Sequence, residues 1–313
     1  MHRIFCHIRI SSHRMIYRAT GIILTGGMTM ATFYNQATLT YNNNVINSNI
    51  TIGEIQDTLT ATKTAILDTY TQGDTVTYVV NIRNTGTMSM NNMTITDDLG
   101  AYPQNGQTRV PLTLEEGSVT LFVNGVLQTD PTVTDGSPLT ITGITIPADG
   151  VATLVYIARI NQFAPLDVDD TITNTVTVSG NGITPITAEE TITAADEAEL
   201  TITKSLFPTV VPENGQITYT FVIQNTGNTP IVATDNAIIT DTFDPALSNL
   251  VVTFNGETWT APVNYTYNPA TGLFTTNPGQ ITVPAATFTQ NPVTGEITIQ
   301  PGVSALTVTG NIQ

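Results

Sequence analysis

Short stretches in which apolar and polar residues alternate make up most of the chain. They are rich in Thr, Val, Ile, Tyr and Phe, and they are separated by Gly, Asn, Asp and Pro. In one of them Leu200, Ile202 and Leu206 share a parity with Lys204. Because successive side chains of a strand point to opposite faces, this period of two predicts half-buried antiparallel strands. No comparable helical period is visible.

The pattern occurs twice along the chain. The segment 59–63, Leu-Thr-Ala-Thr-Lys, aligns with the segment 200–204, Leu-Thr-Ile-Thr-Lys, at an offset of 204 − 63 = 141 residues. Internal similarity at a sustained offset indicates homologous structural units. Two further pairs share this offset, Tyr78 with Tyr219 and Asn84-Thr85-Gly86 with Asn225-Thr226-Gly227. The offset then drifts, as loops of different length would make it, and Ile95-Thr96-Asp97 pairs with Ile239-Thr240-Asp241 at 239 − 95 = 144.

Each unit holds several predicted strands in somewhat more than a hundred residues. We therefore predict an all-β fold of two tandem immunoglobulin-like β-sandwiches, the first over residues 59–194 and the second over 195–313. The acidic stretch 194–199 marks the boundary between them.

The two units differ at their ends. The first closes on a strand at 172–178, whereas the second stops at a segment that matches 154–160. We expect the second sandwich to lack its last strand, which leaves an open sheet edge and an uncovered core.

A segment near the N-terminus resembles the missing strand. Residues 33–41 align with 172–180 at an offset of 174 − 35 = 139, with Asn35 on Asn174. We predict that residues 30–58 form an N-terminal donor strand and a linker hairpin, and that the strand completes the second sandwich of another copy. Such a head-to-tail contact does not close and builds a filament. The inward-facing positions of this strand are Phe33, Asn35, Ala37, Leu39 and Tyr41.

Three other interpretations of the segment stay open. The strand could fold back into its own second sandwich, because an extended linker over 42–58 spans up to about 55 Å. It could also be an ordinary first strand of the first sandwich. Finally, the similarity could be coincidental in a Thr-rich β chain.

Composition excludes many functions. The 313 residues are 40% hydrophobic and 11% charged, with a net charge of −16, which argues against nucleic-acid binding. All His and Cys residues lie before Met30, as do four of the nine Lys and Arg residues. Residues 30–313 therefore contain 9 − 4 = 5 basic and 25 acidic residues, and no His or Cys. They offer no side chain for imidazole or thiol catalysis or for a His/Cys metal site, so we expect no enzyme activity and no cofactor.

Residues 1–29 differ in character from the rest of the chain. They are basic, but their apolar runs are shorter than the core of a secretory signal, so neither a signal peptide nor a membrane span is recognisable. We interpret them as a misassigned or disordered leader, with translation starting at Met30.

Lys, Asp and Asn residues lie on the apolar faces of the predicted strands. Lys63 and Lys204, the only lysines of the chain, have inward parity, as do Asp97, Asp241, Asn174 and Asn35. One hypothesis is a pair of structural ion pairs, Lys63 with Asp97 and Lys204 with Asp241. The other is that a buried neutral lysine attacks the asparagine carboxamide while a protonated aspartate assists, which gives an isopeptide bond and ammonia.

These motifs as a set resemble a known group of domains. The chain over about 59–313 is similar to the conserved repeat domains of bacterial surface proteins and to the Lys–Asn isopeptide-forming immunoglobulin-like domains of Gram-positive pilins and adhesins. The resemblance implies a bond between Lys63 and Asn174, assisted by Asp97. The second unit departs from the pattern, because its asparagine would have to be Asn35, with Lys204 and Asp241.

Two further candidates are of common structural types. Asp167, Asp169 and Asp170 could ligate calcium, although acidic loops are usually only solvated. Trp259 and the aromatic residues that follow it could form a sugar platform, although such residues usually belong to a core.

The sequence therefore predicts a non-enzymatic structural subunit of an extracellular filament or of a cell- or spore-surface appendage, with copies of itself as its partners. The alternative is a monomeric surface adhesin that binds a glycan or protein through sandwich loops.

Overall fold

The computed structural model describes residues 31–55, 58–180 and 183–313, which form two β-sandwiches and a separate N-terminal hairpin. Each sandwich has its own apolar core. The predicted all-β class and the tandem arrangement are confirmed. The predictions for the leader, residues 1–29, lie outside the described residues.

The N-terminal hairpin has two arms, each interrupted once. The strands are β1 (Ala31–Asn35), β2 (Thr38–Tyr41), β3 (Asn44–Asn47) and β4 (Thr51–Ile55). β1 pairs with β4 and β2 with β3, both antiparallel. Asn42 and Asn43 form the two-residue turn, and both have a positive φ, which asparagine tolerates better than most residues. Among the described residues these strands pair only with one another.

The first sandwich contains fourteen strands, β5 to β18. One sheet has the order β13-β12-β16-β7-β5, with β11 also paired to β16, and the facing sheet has the order β14-β15-β8-β17-β18-β6. The strands are β5 (Leu59–Ala65), β6 (Thr69–Tyr70), β7 (Thr75–Asn84), β8 (Met90–Asp97), β9 (Tyr102–Gln104), β10 (Gln107–Arg109), β11 (Leu112–Leu114), β12 (Thr120–Val123), β13 (Val126–Leu127), β14 (Thr132–Thr134), β15 (Leu139–Ile146), β16 (Val151–Ile160), β17 (Thr171–Ser179) and β18 (Ile186–Ala194).

The second sandwich repeats the order of the five strands β5-β7-β16-β12-β13 of the first sheet and, among its described residues, has no separate strand in place of β11. Its order is β19-β20-β28-β22-β23, and its facing sheet has only β21-β25-β24. A short 3-10 helix lies at Ala233–Asp235. The strands are β19 (Leu200–Phe207), β20 (Gln216–Asn225), β21 (Thr240–Thr242), β22 (Leu247–Phe254), β23 (Glu257–Trp259), β24 (Tyr265–Asn268), β25 (Leu273–Thr276), β26 (Thr287–Gln290), β27 (Ile297–Gln300) and β28 (Gly302–Ile312).

The repeated Asn-Thr-Gly turn has the same structural role in both units. Asn84 is buried, its Nδ2 donates to the carbonyl of Pro147 at 2.9 Å, and its Oδ1 accepts from the amide of Gly86. Asn225 makes the matching bonds to Pro284 and Gly227. A buried amide with its partners satisfied fixes the end of a strand, which explains this part of the repeat.

The sandwiches differ in their second sheets. In the first, β8 pairs with β15 on one side and β17 on the other, and β17 and β18 lie over β5. In the second, β21 pairs with β25, and among the described residues no strand pairs with its other edge. Counterparts of both β17 and β18 are therefore missing from the described second sandwich, where the sequence predicted the lack of one strand.

Strand β19 is consequently exposed along its whole length. Leu59 on β5 is 6% exposed, whereas Leu200, at the matching position of β19, is 44% exposed. Beside it lies an apolar groove lined by Ile202, Ile223, Ile239, Ile281 and Val283, among others.

A hairpin of the second sandwich packs on the first. Strands β26 and β27 pair with each other, and Phe288, Ile297 and Ile299 contact the first core. Arg109 of the first sandwich donates to the carbonyl of Val293 at 2.6 Å. The two sandwiches are thus joined by more than the acidic linker.

Candidate functional site

The first sandwich buries a cluster of polar side chains between its two sheets. Lys63 comes from β5 and Tyr156 from β16 of one sheet, and Asp97 from β8 and Asn174 from β17 of the other. Each lies at an inward position of an alternating strand, so the period of two that builds the core also delivers these groups into it.

The cluster is connected by hydrogen bonds. Lys63 Nζ lies 2.8 Å from Asp97 Oδ2, and the Tyr156 hydroxyl donates to the same carboxylate oxygen. Asn174 Nδ2 donates to the Tyr156 hydroxyl at 3.2 Å. Lys63, Asp97 and Asn174 are at most 3% exposed. The lysine, aspartate and asparagine singled out from the sequence are thus brought together.

Two buried polar atoms at the cluster have no hydrogen-bond partner among the described residues, Asn174 Oδ1 and the Tyr78 hydroxyl. A buried polar atom without a partner is costly, so the asparagine is a poor choice for a merely structural role. Its carboxamide carbon is the electrophile that a lysine amine would attack.

Burial shifts the pKa values of Lys63 and Tyr156 in this cluster. Desolvation lowers the pKa of the Lys63 amine, and the nearby Asp97 carboxylate opposes that shift. Burial also raises the pKa of the Tyr156 hydroxyl, so the tyrosine stays protonated and donates. A lowered lysine pKa increases the fraction of neutral amine, which is the nucleophilic form.

The second sandwich holds part of the same arrangement. Lys204 and Asp241 form an ion pair, and Lys204 Nζ lies 4.5 Å from the centre of the Tyr219 ring, as Lys63 Nζ lies 4.8 Å from that of Tyr78. The Lys204 side chain is 40% exposed and that of Asp241 18%. Among the described residues no asparagine joins this pair.

Asn35 lies in the N-terminal hairpin and is exposed. It pairs with Thr51 across β1 and β4. Ala37 and Leu39 are exposed as well, and the backbones of Phe33 and Tyr41 lie in β1 and β2. The hairpin belongs to the sheets of neither sandwich, so the structure does not bring Asn35 to Lys204 within one chain.

The remaining candidates do not assemble into sites. In the part of the chain that the structure describes, no group of three or more Asp, Glu, His or Cys side chains is arranged to hold a metal. Asp167, Asp169 and Asp170 do not form such a group. Asp170 instead accepts a hydrogen bond from the backbone amide of Asp167 at 2.9 Å. Trp259 is 9% exposed and belongs to the second core, so it offers no sugar platform.

Tyr156 was not singled out from the sequence. Its position in the second sandwich is taken by Val308, since Tyr78 pairs with Tyr156 on β16 and Tyr219 pairs with Val308 on β28. A search for repeated residues therefore passes over it. Its inward parity on a strand of alternating residues was the only signal.

No protein-family model matches the chain, and no curated protein matches it. Among solved structures, the chain is similar to the pilus backbone RrgB of Streptococcus pneumoniae, with 14% identity and a TM-score of 0.32 over 78% of this chain and 55% of that one. It is also similar to a variant of BcpA, the major pilin subunit of Bacillus cereus, with 11% identity and a TM-score of 0.36 over 67% and 69% of the two chains.

A third similar structure is the collagen-binding domain of a Staphylococcus aureus adhesin, with 13% identity and a TM-score of 0.29 over 44% of this chain and 97% of that one. Identities and scores this low assign neither a family nor an activity. Within the described residues, no helix is long and apolar enough to cross a membrane.

Proposed function

We propose that the protein is a structural subunit of an extracellular surface filament, and that each copy inserts its N-terminal hairpin into the second sandwich of the next. One observation carries this proposal. The outer strands of the hairpin, β1 and β4, pair in the register of β17 and β18, the two strands whose counterparts are missing from the described second sandwich.

The register match extends over the outer half of the hairpin. Asn35 pairs with Thr51, and Asn174 pairs with Glu190. The offset is the same in both arms, since 174 − 35 = 139 and 190 − 51 = 139. A single offset that relates both strands and their pairing supports the hairpin as a second version of β17–β18, in place of the single donor strand that the sequence predicted.

The second sandwich offers a surface of matching chemistry. In the first sandwich Ile172, Val176 and Val178 of β17 are buried in the core. The second sandwich instead has the exposed strand β19 and the apolar groove beside it. An edge strand next to an apolar groove is the kind of surface to which an added strand binds.

The hairpin, for its part, exposes apolar side chains that a folded monomer does not need at its surface. Leu39 is 57% exposed, and Ile46, its partner across β2 and β3, is 58% exposed. Removing such side chains from water favours association. Because each copy carries one hairpin and one groove, the contact is heterologous and does not close on itself, so it produces a filament.

The first prediction tests the hairpin with paired substitutions. Leu39 aligns with the buried Val178, so Leu39→Asp would place a charge in the neighbour's core and should abolish filaments in electron micrographs. Thr40→Asp puts the same charge on the outward position and should leave filaments intact. Filaments of normal abundance from Leu39→Asp would refute the proposal, and a soluble monomer that binds glycans would favour the adhesin instead.

We also propose that Lys63 and Asn174 form an isopeptide bond inside the first sandwich. The Nζ of the neutral lysine attacks the Cγ of Asn174, the Nζ–Cγ bond forms and the Cγ–Nδ2 bond breaks. The departing amide nitrogen leaves as ammonia, because one proton passes from the lysine nitrogen through the Asp97 carboxyl to the leaving group. Its support is the shared burial of the three residues and their connection through Tyr156.

The second prediction concerns this bond. Intact-mass measurement of the monomeric Leu39→Asp variant should give a mass lower than the sequence mass by one ammonia. Adding Asn174→Ala or Lys63→Met should restore the full sequence mass of the variant, whereas adding Lys204→Met should not. An unmodified Leu39→Asp chain would show that Lys63 and Asp97 form a plain ion pair.

A further inference from the structure

The second sandwich contains an incomplete copy of the cluster in the first. Lys63 pairs with Val80 on β7 and Lys204 pairs with Phe221 on β20, both at the offset of 141. Asp97 and Asp241 lie in equivalent strands, opposite Leu139 and Phe274 respectively. The lysine, the aspartate and the tyrosine beneath the lysine are therefore all present at matching places.

What distinguishes the two clusters is the layer above them. In the first sandwich β17 supplies Asn174 and covers Lys63, whose side chain is fully buried. In the second, the Lys204 side chain is 40% exposed, and the edge of β21 that would receive such a strand is unpaired among the described residues. A strand placed there would both cover the lysine and present a side chain to it.

The hairpin carries an asparagine at the required position. Under the offset that relates the hairpin to β17–β18, Asn35 takes the place of Asn174. Its sequence neighbours at inward parity are apolar, as are those of Asn174. The uncovered face of the second sandwich shows a matching pattern, because Lys204 and Asp241 follow the groove residues Ile202 and Ile239 at the same strand parity.

We propose that Asn35 of one subunit and Lys204 of the next form an isopeptide bond once the hairpin is seated, so that the filament becomes one covalent chain. This inference rests on the filament assembly proposed above. The Lys204 Nζ bonds to the Asn35 Cγ, the Cγ–Nδ2 bond breaks, and one ammonia leaves per junction. Asp241 takes the proton from the amine and passes it to the leaving nitrogen, so no other reactant is needed.

Docking itself starts the reaction. The seated hairpin excludes water from Lys204 and Asp241, and desolvation favours the neutral amine and the neutral carboxyl over the charged pair. Asp241 lacks the tyrosine that donates to Asp97, because Val308 stands in place of Tyr156. A hydrogen-bond donor stabilises a carboxylate, so the absence of this donor acts in the same direction as burial.

The third prediction separates covalent from non-covalent assembly. Wild-type filaments boiled in detergent should run as a ladder of multiples of the subunit. Lys204→Met and Asn35→Ala should still form filaments in the electron microscope but run as monomers after boiling. Lys63→Met is the matched control with the other lysine removed, and it should keep the ladder.

The chain has only two lysines, so the linkage can be read directly. Tandem mass spectrometry of a digested ladder should find Lys204 joined to Asn35 with the loss of one ammonia. Wild-type filaments that dissolve to monomers, or a ladder that survives Lys204→Met, would overturn the covalent junction while leaving strand donation intact. A wild-type chain that forms no filaments would overturn the assembly itself.

Discussion

The buried polar residues show how a β-sandwich can hold ionisable side chains in its core. Lys63, Asp97 and Asn174 come from three strands of two sheets, and alternation points all three into one core. The core supplies the low-dielectric surroundings that favour a neutral amine. The same low-dielectric surroundings raise the pKa values of Tyr78 and Tyr156, which line the cluster.

The fourth prediction follows from those tyrosines. Burial raises the pKa of Tyr78 and of Tyr156 above the ordinary value of 10.0. Above that pH the unfolded chain releases protons that the folded chain keeps, so the stability they contribute is present below pH 10.0 and is lost as the pH rises. Each tyrosine that is ionised in the unfolded chain and protonated in the folded chain lowers the unfolding free energy by about 1.4 kcal/mol per pH unit.

Urea unfolding of Tyr78→Phe at a series of alkaline pH values checks this expectation. The variant should lose stability less steeply than the wild type. Tyr34→Phe, which alters a tyrosine that is 67% exposed, serves as the control and should follow the wild-type curve. Equal slopes for Tyr78→Phe and the wild type would contradict the assigned role of burial.

At the scale of strands and hairpins, the sequence predicted those features that depend on alternation and on the repeat. The offset of 141 that aligned Lys63 with Lys204 also relates the strand registers around Asn84 and Asn225. The pairing of the two arms of the N-terminal hairpin was harder to predict. Which strands pair depends on contacts between segments, and the alternation within one segment does not specify them.

The packing of β26 and β27 on the first sandwich could not be predicted from the sequence. Phe288 and Ile297 alternate like any strand residues, and nothing in that pattern indicates which core they contact. Gly295 allows the close approach of Arg109, since a Cβ at that position would lie 2.2 Å from Arg109 Nε. This contact depends on tertiary geometry alone.

The fifth prediction tests this contact between the sandwiches. Phe288→Ala should lower the unfolding free energy by about 2 kcal/mol, less than for a fully buried phenylalanine, because Phe288 is half-buried. It should also separate the calorimetric unfolding of the two sandwiches into two transitions. Val293→Ala, at a residue that is 74% exposed, should change neither. A single unshifted transition in Phe288→Ala would show that the hairpin does not couple them.

At the scale of the whole molecule, the chain carries two unequal surfaces. Its hairpin has exposed apolar side chains on a strand pair that belongs to neither sandwich, and its second sandwich leaves β19 uncovered. The sequence indicated both surfaces through the similarity of 33–41 to 172–180. It could not show that counterparts of both β17 and β18 are missing, because this follows only from comparing the strand orders of the two facing sheets.

The unequal surfaces give any assembly built in this way a direction. One end of the polymer presents a free hairpin and the other presents an open groove, whatever the number of subunits between them. The two ends therefore differ chemically, so growth, capping and attachment to a support can each be confined to one end.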